Sequence, residues 1–359
     1  MPRLAELLER EGASVDLAPG DFERLLQRRE RKRRNERIAA ATLAIVVVVA
    51  TLVGLSRTFG LQDRTATQPT PILTPAELGI FNDVRGWIAY GDTSGIWAFD
   101  PANPDAEHVQ LSRREGEPIA WSSDGSRLLI WRPHNRGSLS FYGSLSVLDS
   151  DGMLRHVARG DGGSITPDGS KVIYSATLPG EEWRSGIYVV DVDGGTPRLL
   201  YAAGIMPGPD SFQMAVFLPM LSPDGSRIAY FEGMGDWGNS LWVMDVDGTN
   251  RRRILGPDDP AQPGNEDSLS HITSPQWSPD GSRLAFSGTA PGDIYIVSAD
   301  GSGLSLVDVH GVEPHWSPDG STISYASRGS VAIARLDGTL VRELEDGRSG
   351  PWNPLEASP

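Results

Sequence analysis

WSPDGSRLAFS (277–287) decides how the rest of this chain is read. Its centre is a turn: Ser and Asp side chains can bond neighbouring backbone N–H groups, Pro presets its own φ, and Gly supplies a position with φ > 0. The residues from Arg283 onward alternate in polarity, as a strand leaving a tight turn does. The pattern recurs as WSSDGSRLLIW (121–131), ITPDGSKVIYS (165–175), LSPDGSRIAYF (221–231) and WSPDGSTISYA (316–326). The turn aspartates Asp124, Asp168, Asp224, Asp280 and Asp319 stand 44, 56, 56 and 39 residues apart, the length of one propeller blade plus variable insertions.

A second element follows every copy and once precedes the first: GIWAFDP (95–101), GSLSVLDSDG (143–152), GIYVVDVDG (186–194), SLWVMDVDG (240–248), DIYIVSADG (293–301) and SVAIARLDG (330–338). These are six third strands against five opening hairpins. The C-terminus supplies the missing first strand. Gly350-Pro351-Trp352-Asn353-Pro354 is similar to Glu313-Pro314-His315-Trp316-Ser317-Pro318, so it completes the blade opened by WIAYGD (87–92) and removes an open sheet edge.

The S-P-D-G-S-R-[LI]-A-[FY] repeats resemble those of TolB-like, WD40-like bacterial six-bladed propellers, and are also similar to the propeller of dipeptidyl peptidase IV-type proteins. The likeness covers about residues 80–355. It implies the fold strongly and function weakly, because propellers carry many activities. The hydrolase domain of the peptidases has no counterpart here, since no G-x-S-x-G elbow occurs.

Composition agrees with many short strands: 41 Gly, 27 Pro and 10 Trp in 359 residues, with no Cys. Disulfides, thiolate metal sites and Cys nucleophiles are thereby excluded. The net charge of −15 is unevenly spread. Residues 1–57 carry 11 Lys+Arg against 8 Asp+Glu, and the remainder 21 against 39, an acidic surface that argues against nucleic acid as a ligand. Eighteen uncharged residues, Ile38–Leu55, follow a basic cluster from Arg24 to Arg37. They read as a transmembrane helix with a cytoplasmic N-terminus. A cleaved signal peptide ending near Gly54-Leu55-Ser56 is the alternative.

The expected organisation is therefore a cytoplasmic basic segment with short helices (1–37), a transmembrane helix (38–56), a Thr/Pro-rich linker (57–78), an all-β six-bladed propeller (79–355) and a short tail (356–359).

Blade topology sorts the loops. First-to-second and third-to-fourth turns share one face and are all short Asp-Gly turns, read as structural. The longer connections, Arg132–Tyr142, Ser175–Ser185, Tyr201–Met214, Glu232–Asn239 and Gly256–His271, share the other. Long loops on a rigid scaffold are where binding concentrates. Candidate binding residues there are Arg132, His134, Tyr142, Trp183, Arg184, Phe212, Asp236, Trp237 and His271, aromatics beside charges that suit protein, peptide or glycan contacts.

Trp121, Trp277, Trp316 and Trp352 read as packing between blades. The D-V-D-G runs at Asp191–Gly194 and Asp245–Gly248 imitate the start of a calcium loop but lack its later ligands, and read as hairpin turns. The six histidines show no zinc spacing, although His315 is placed to face the central channel. No cofactor, metal or catalytic set is expected. The function expected is binding or sensing of a cell-envelope ligand by a membrane-anchored, extracytoplasmic propeller. The alternatives are a propeller hydrolase of lactonase or esterase type with a channel metal, and a transmembrane regulator whose residues 1–37 act on a cytoplasmic partner such as a sigma factor.

Overall fold

The computed structural model describes residues 78–134, 143–180, 184–206, 212–233, 239–256, 273–288, 292–327, 330–344 and 350–355. The chain divides into two compact units, Met1–Thr67 and Gln68–Pro359, and every described residue belongs to the second. The cytoplasmic segment, the Ile38–Leu55 span and almost all of the linker expected from sequence thus lie outside the described residues. Among those described, no helix is long and apolar enough to cross a membrane.

Antiparallel strands in simple up-and-down order build six blades. The fifth is representative: an inner strand Thr273–Trp277, then Arg283–Ser287, Asp293–Ser298 and an outer strand Ser305–His310. The S-P-D-G turns join first to second strands, and the quoted third-strand runs are third strands, as expected. Asp191–Gly194 and Asp245–Gly248 are hairpin turns, closed by Gly194 N–H to Asp191 O at 3.0 Å and Gly248 N–H to Asp245 O at 2.9 Å. Leu154–Ile165 is one continuous strand, the outer strand of the second blade running on as the inner strand of the third.

Alternation of polarity along the second strands gives way to continuous burial. Ile228, Ala229, Tyr230 and Phe231 are each at most 1% exposed, because a blade is covered by neighbours on both faces. The core is accordingly a set of interblade layers: Ala229, Phe231, Leu241 and Val243 of the fourth blade pack on Trp277, Leu284, Phe286 and Val297 of the fifth.

The first blade closes the ring. Its own chain supplies Ile88–Asp92, Gly95–Phe99 and Val109–Ser112, and the inner position is taken by the C-terminus. Trp352 bridges Ile88, Ala89 N–H donates to Pro351 O at 3.1 Å, and Asn353 N–H donates to Trp87 O at 2.8 Å.

Two small elements escape the sequence reading. A 3-10 helix, Gly79–Val84, buries Phe81 and Val84 against the first and second blades, with Phe81 edge-on to Trp121 at 4.9 Å between centroids. Its apolar signal is the spacing of Leu78, Phe81 and Val84, too short to stand out from the preceding linker. Within the Tyr201–Met214 connection, Ile205–Met206 pairs with Phe212–Gln213 as a two-stranded ribbon.

Candidate ligand-binding site

Each inner strand ends in the same three-part step: a residue facing the channel, a large apolar residue, then Ser, Thr or Asn opening the turn. Around the ring the channel-facing residues are Ala120, Ser164, Met220, Gln276, His315 and Pro351, followed by Trp121, Ile165, Leu221, Trp277, Trp316 and Trp352. Together with the turn residues Ser123, Pro167, Pro223, Pro279, Pro318 and Pro354 they wall a central cavity of about 390 Å³. That volume lies in the range of small-ligand sites.

The turns hold their shape through one repeated network. In the fourth blade Ser222 Oγ–H donates to Asp224 Oδ1 at 2.5 Å, Asp224 Oδ1 accepts Ser226 N–H at 3.0 Å, and Ser222 Oγ accepts Arg227 N–H at 3.0 Å. Such donors hold Asp280 and Asp319 below the usual carboxylate range, Asp280 at about 2, with the Ser278 and Ser317 hydroxyls the leading causes. Three of the turns also grip the next blade through the Arg that follows them, with Arg127 Nη1–H donating to Gly169 O at 2.6 Å. Arg227 Nη2–H donates to Gly281 O at 2.8 Å while its guanidinium lies 4.7 Å over the Trp277 ring, and Arg283 lies 4.9 Å over Trp316.

The tryptophans do more than pack. Trp121 Nε1–H donates to Pro351 O at 3.2 Å, Trp277 to Met220 O at 2.9 Å and Trp316 to Gln276 O at 3.2 Å, each to a channel-lining carbonyl of the preceding blade. Where Leu221 replaces Trp, a hydroxyl takes over: Ser164 Oγ–H donates to Pro219 O at 3.1 Å and accepts Leu221 N–H at 2.9 Å. Ser123, which stands where the later turns have Pro, reaches past the third blade and donates to Pro223 O at 3.3 Å.

His315 faces the cavity, as its position suggested. Removal from bulk water pushes its imidazole down to about 4, so it is neutral at pH 7 and offers one N–H and one acceptor. The wall combines tryptophan and proline rings with polar groups, of which the Gln276 and His315 side chains face the cavity, while the Ser164 and Ser123 hydroxyls donate to Pro219 O and Pro223 O. Among the described residues no group of three or more His, Cys, Asp or Glu is placed to hold a metal ion.

The cavity is bounded by the Asp-Gly turns, the face that reads as purely structural from sequence. The residues singled out on the opposite face are differently placed. Arg132 and His134 are exposed at the end of the second strand of their blade. Arg184 is half-buried, and its Nε–H donates to Ala203 O at 2.7 Å, so it staples a connection instead of standing free. Phe212 lies in the two-stranded ribbon, opposite Met206. Tyr142, Trp183, Asp236, Trp237 and His271 lie outside the described residues. The cavity residues were missed as a set because they are scattered over six repeats. The position before each Trp was the available signal.

With this geometry in hand, comparison with known proteins adds the following. No family model matches the chain. It is 28% identical over 189 residues to an uncharacterised protein of Agrobacterium fabrum, covering 52% of this chain and 56% of that one. It is 34% identical over 88 residues to the Tol-Pal system protein TolB of Thioalkalivibrio sulfidiphilus, 24% of this chain and 18% of that one. The chain thus spans about half the length of the first relative and less than a fifth of the second. Among solved structures, TolB from Acinetobacter baumannii superposes with a TM-score of 0.53 at 14% identity, over 74% of this chain and 65% of that one. The protein is a TolB-like β-propeller in its fold.

Proposed function

We propose that the protein is a non-catalytic, membrane-anchored binding or sensing protein, tethered by Ile38–Leu55, whose propeller captures a protein or peptide of the cell envelope. One observation carries the reading: a cavity of about 390 Å³ lined by four tryptophans, six prolines, Gln276 and a neutral His315. Rigid aromatic and proline rings interspersed with polar groups suit an inserted polypeptide segment, because the rings bury apolar area at small entropic cost and the polar groups satisfy backbone N–H and C=O. An acidic ring is also compatible with an envelope partner presenting Lys or Arg. The N-terminal 37 residues would then face the cytoplasm, where they can report occupancy to a partner.

In-cell photocrosslinking from Gln276 and, separately, from Trp237 tests the proposal in the full-length protein. An adduct to an envelope protein from Gln276 puts the partner at the channel, and one from Trp237 puts it on the loop face. No adduct from either, together with no consequence of filling the cavity by Gln276→Trp, overturns the reading.

A further inference from the structure

Between the third and fourth blades a guanidinium sits in a box of rings. Arg251 Cζ lies 3.5 Å from the ring centroid of Trp242, 4.7 Å from that of Tyr201 and 6.0 Å from that of Tyr230. Its Nη2 pairs with Glu232 Oε2, and its Nε–H donates to Tyr230 Oη at 2.5 Å. Arg251 is not the carboxylate's sole partner. Glu232 Oε1 also accepts the Tyr201 hydroxyl and Gly204 N–H, both at 2.9 Å, which ties the two blades together at the carboxylate.

Exposure separates the box from its contents. The Glu232 side chain is 2% exposed and Tyr230 is fully buried, whereas the Arg251 side chain is 29% exposed. Arg251 follows Asn250, a non-glycine residue at φ 52°, on the turn after the third strand of the fourth blade. In the same wall Trp242 Nε1 is buried with no acceptor, a vacancy that native interiors rarely leave. A simple ion pair needs neither three aromatic walls nor a spare indole donor. A buried carboxylate under three rings is the chemistry that recognises an organic cation.

We propose that Trp242, Tyr201, Tyr230 and Glu232 form a binding site for the arginine side chain of an incoming polypeptide, kept closed in the free protein by Arg251. Guanidinium is the cation of choice because Glu232 and Tyr230 both accept N–H bonds that an ammonium flanked by methyl groups could not donate. An incoming arginine replaces the interactions Arg251 gives up, so exchange swaps one cation for another without leaving Glu232 bare. This site lies in the interblade layer, and the inference does not rest on the channel reading.

The test uses the purified full-length protein with N-acetyl-arginine methylamide as probe, its lysine counterpart as control, and tryptophan fluorescence and thermal shift as readouts. Removing the internal competitor by Arg251→Ala is expected to tighten probe binding at least tenfold over wild type. Arg251→Lys is expected to fall between them, and adding Glu232→Gln to Arg251→Ala to abolish binding. Should Arg251→Ala not fold, tighter binding by Arg251→Lys than by wild type carries the same information. The proposal is overturned if the affinities do not follow this order, if Glu232→Gln leaves binding intact, or if the lysine probe binds equally well.

Discussion

Gly225 sits at φ 71°, and a Cβ there would stand 3.0 Å from the ring atoms of Pro167 in the neighbouring blade. Gly194, at φ 95°, would meet nothing within 4 Å. Both require the left-handed region, which costs an L side chain about 1–2 kcal/mol. Only Gly225 also defends an interblade contact. Gly225→Ala is therefore expected to destabilise the propeller by roughly 1 kcal/mol more than Gly194→Ala in denaturant unfolding. Equal losses would show that the turn prolines do not interlock the ring.

Single residues also set the response to acid. The His315 value near 4 lies below its unfolded value, so the unfolded chain takes the proton first and stability falls between about pH 6.5 and 4. Asp280 and Asp319 are depressed, so their contribution is present above about pH 4 and is lost as pH falls toward the Asp280 value of about 2. Burial holds Asp161 up at about 7, so the folded state gains stability from its protonation as pH falls over the same interval and offsets the His315 loss. The His315 contribution is therefore read as a difference: relative to His315→Gln, wild type is expected to lose midpoint temperature between about pH 6.5 and 4, with the two profiles parallel below that. A variant profile parallel to wild type from pH 6.5 to 4 would contradict this assignment.

At the scale of elements, the repeat motif encodes a relation between blades as much as a hairpin. The Arg after each Asp-Gly-Ser is the clearest case, because Arg127 and Arg227 both reach a turn carbonyl of the next blade, Gly169 O at 2.6 Å and Gly281 O at 2.8 Å. In the third blade Lys171 stands there and pairs with Asp191 of its own blade, and the next blade offers Leu221 in place of a Trp to stack on. In the sixth blade the position is Thr322, and the first blade has no Asp-Gly turn to receive an arginine. Arg227→Ala is expected to cost about 1–2 kcal/mol in chemical denaturation, having lost a hydrogen bond and a stacked ring. An Arg227→Ala protein as stable as wild type would reduce the latch to a surface decoration.

Across the whole molecule the decisive element is the seam. The C-terminal strand is held to blade one by the Ile88–Trp352 bridge, to the second blade by Trp121 Nε1–H to Pro351 O at 3.2 Å, and to the sixth by Trp352 Nε1–H to Ser324 Oγ at 2.8 Å. Arg342 Nη1–H adds a bond to Pro101 O at 3.1 Å from the sixth blade to the first. Deleting residues 350–359 leaves the inner edge of blade one open and uncovers Trp121. The truncated protein is expected to unfold at a midpoint lower by 10 °C or more, with loss of a single cooperative transition in calorimetry. Retention of the wild-type transition would mean that the other five blades suffice.

The sequence by itself determined the number of blades, the strand that closes the ring and the division of turns from long connections. These are local and repetitive: a φ > 0 glycine, an Asp that caps its own turn and a fixed spacing leave a signature in every copy. The position of His315 at the channel was legible in the same way, from its place at the end of an inner strand of a recognisable repeat. Tertiary structure alone decided which residues meet. The cavity joins three or four residues from each of six repeats, the Ser164 link substitutes for an absent indole, and the Arg251 box assembles Tyr201, Tyr230, Glu232 and Trp242 from two blades. No periodicity records such meetings, because they are fixed by the packing of one sheet on the next and not by the chain's own repeat.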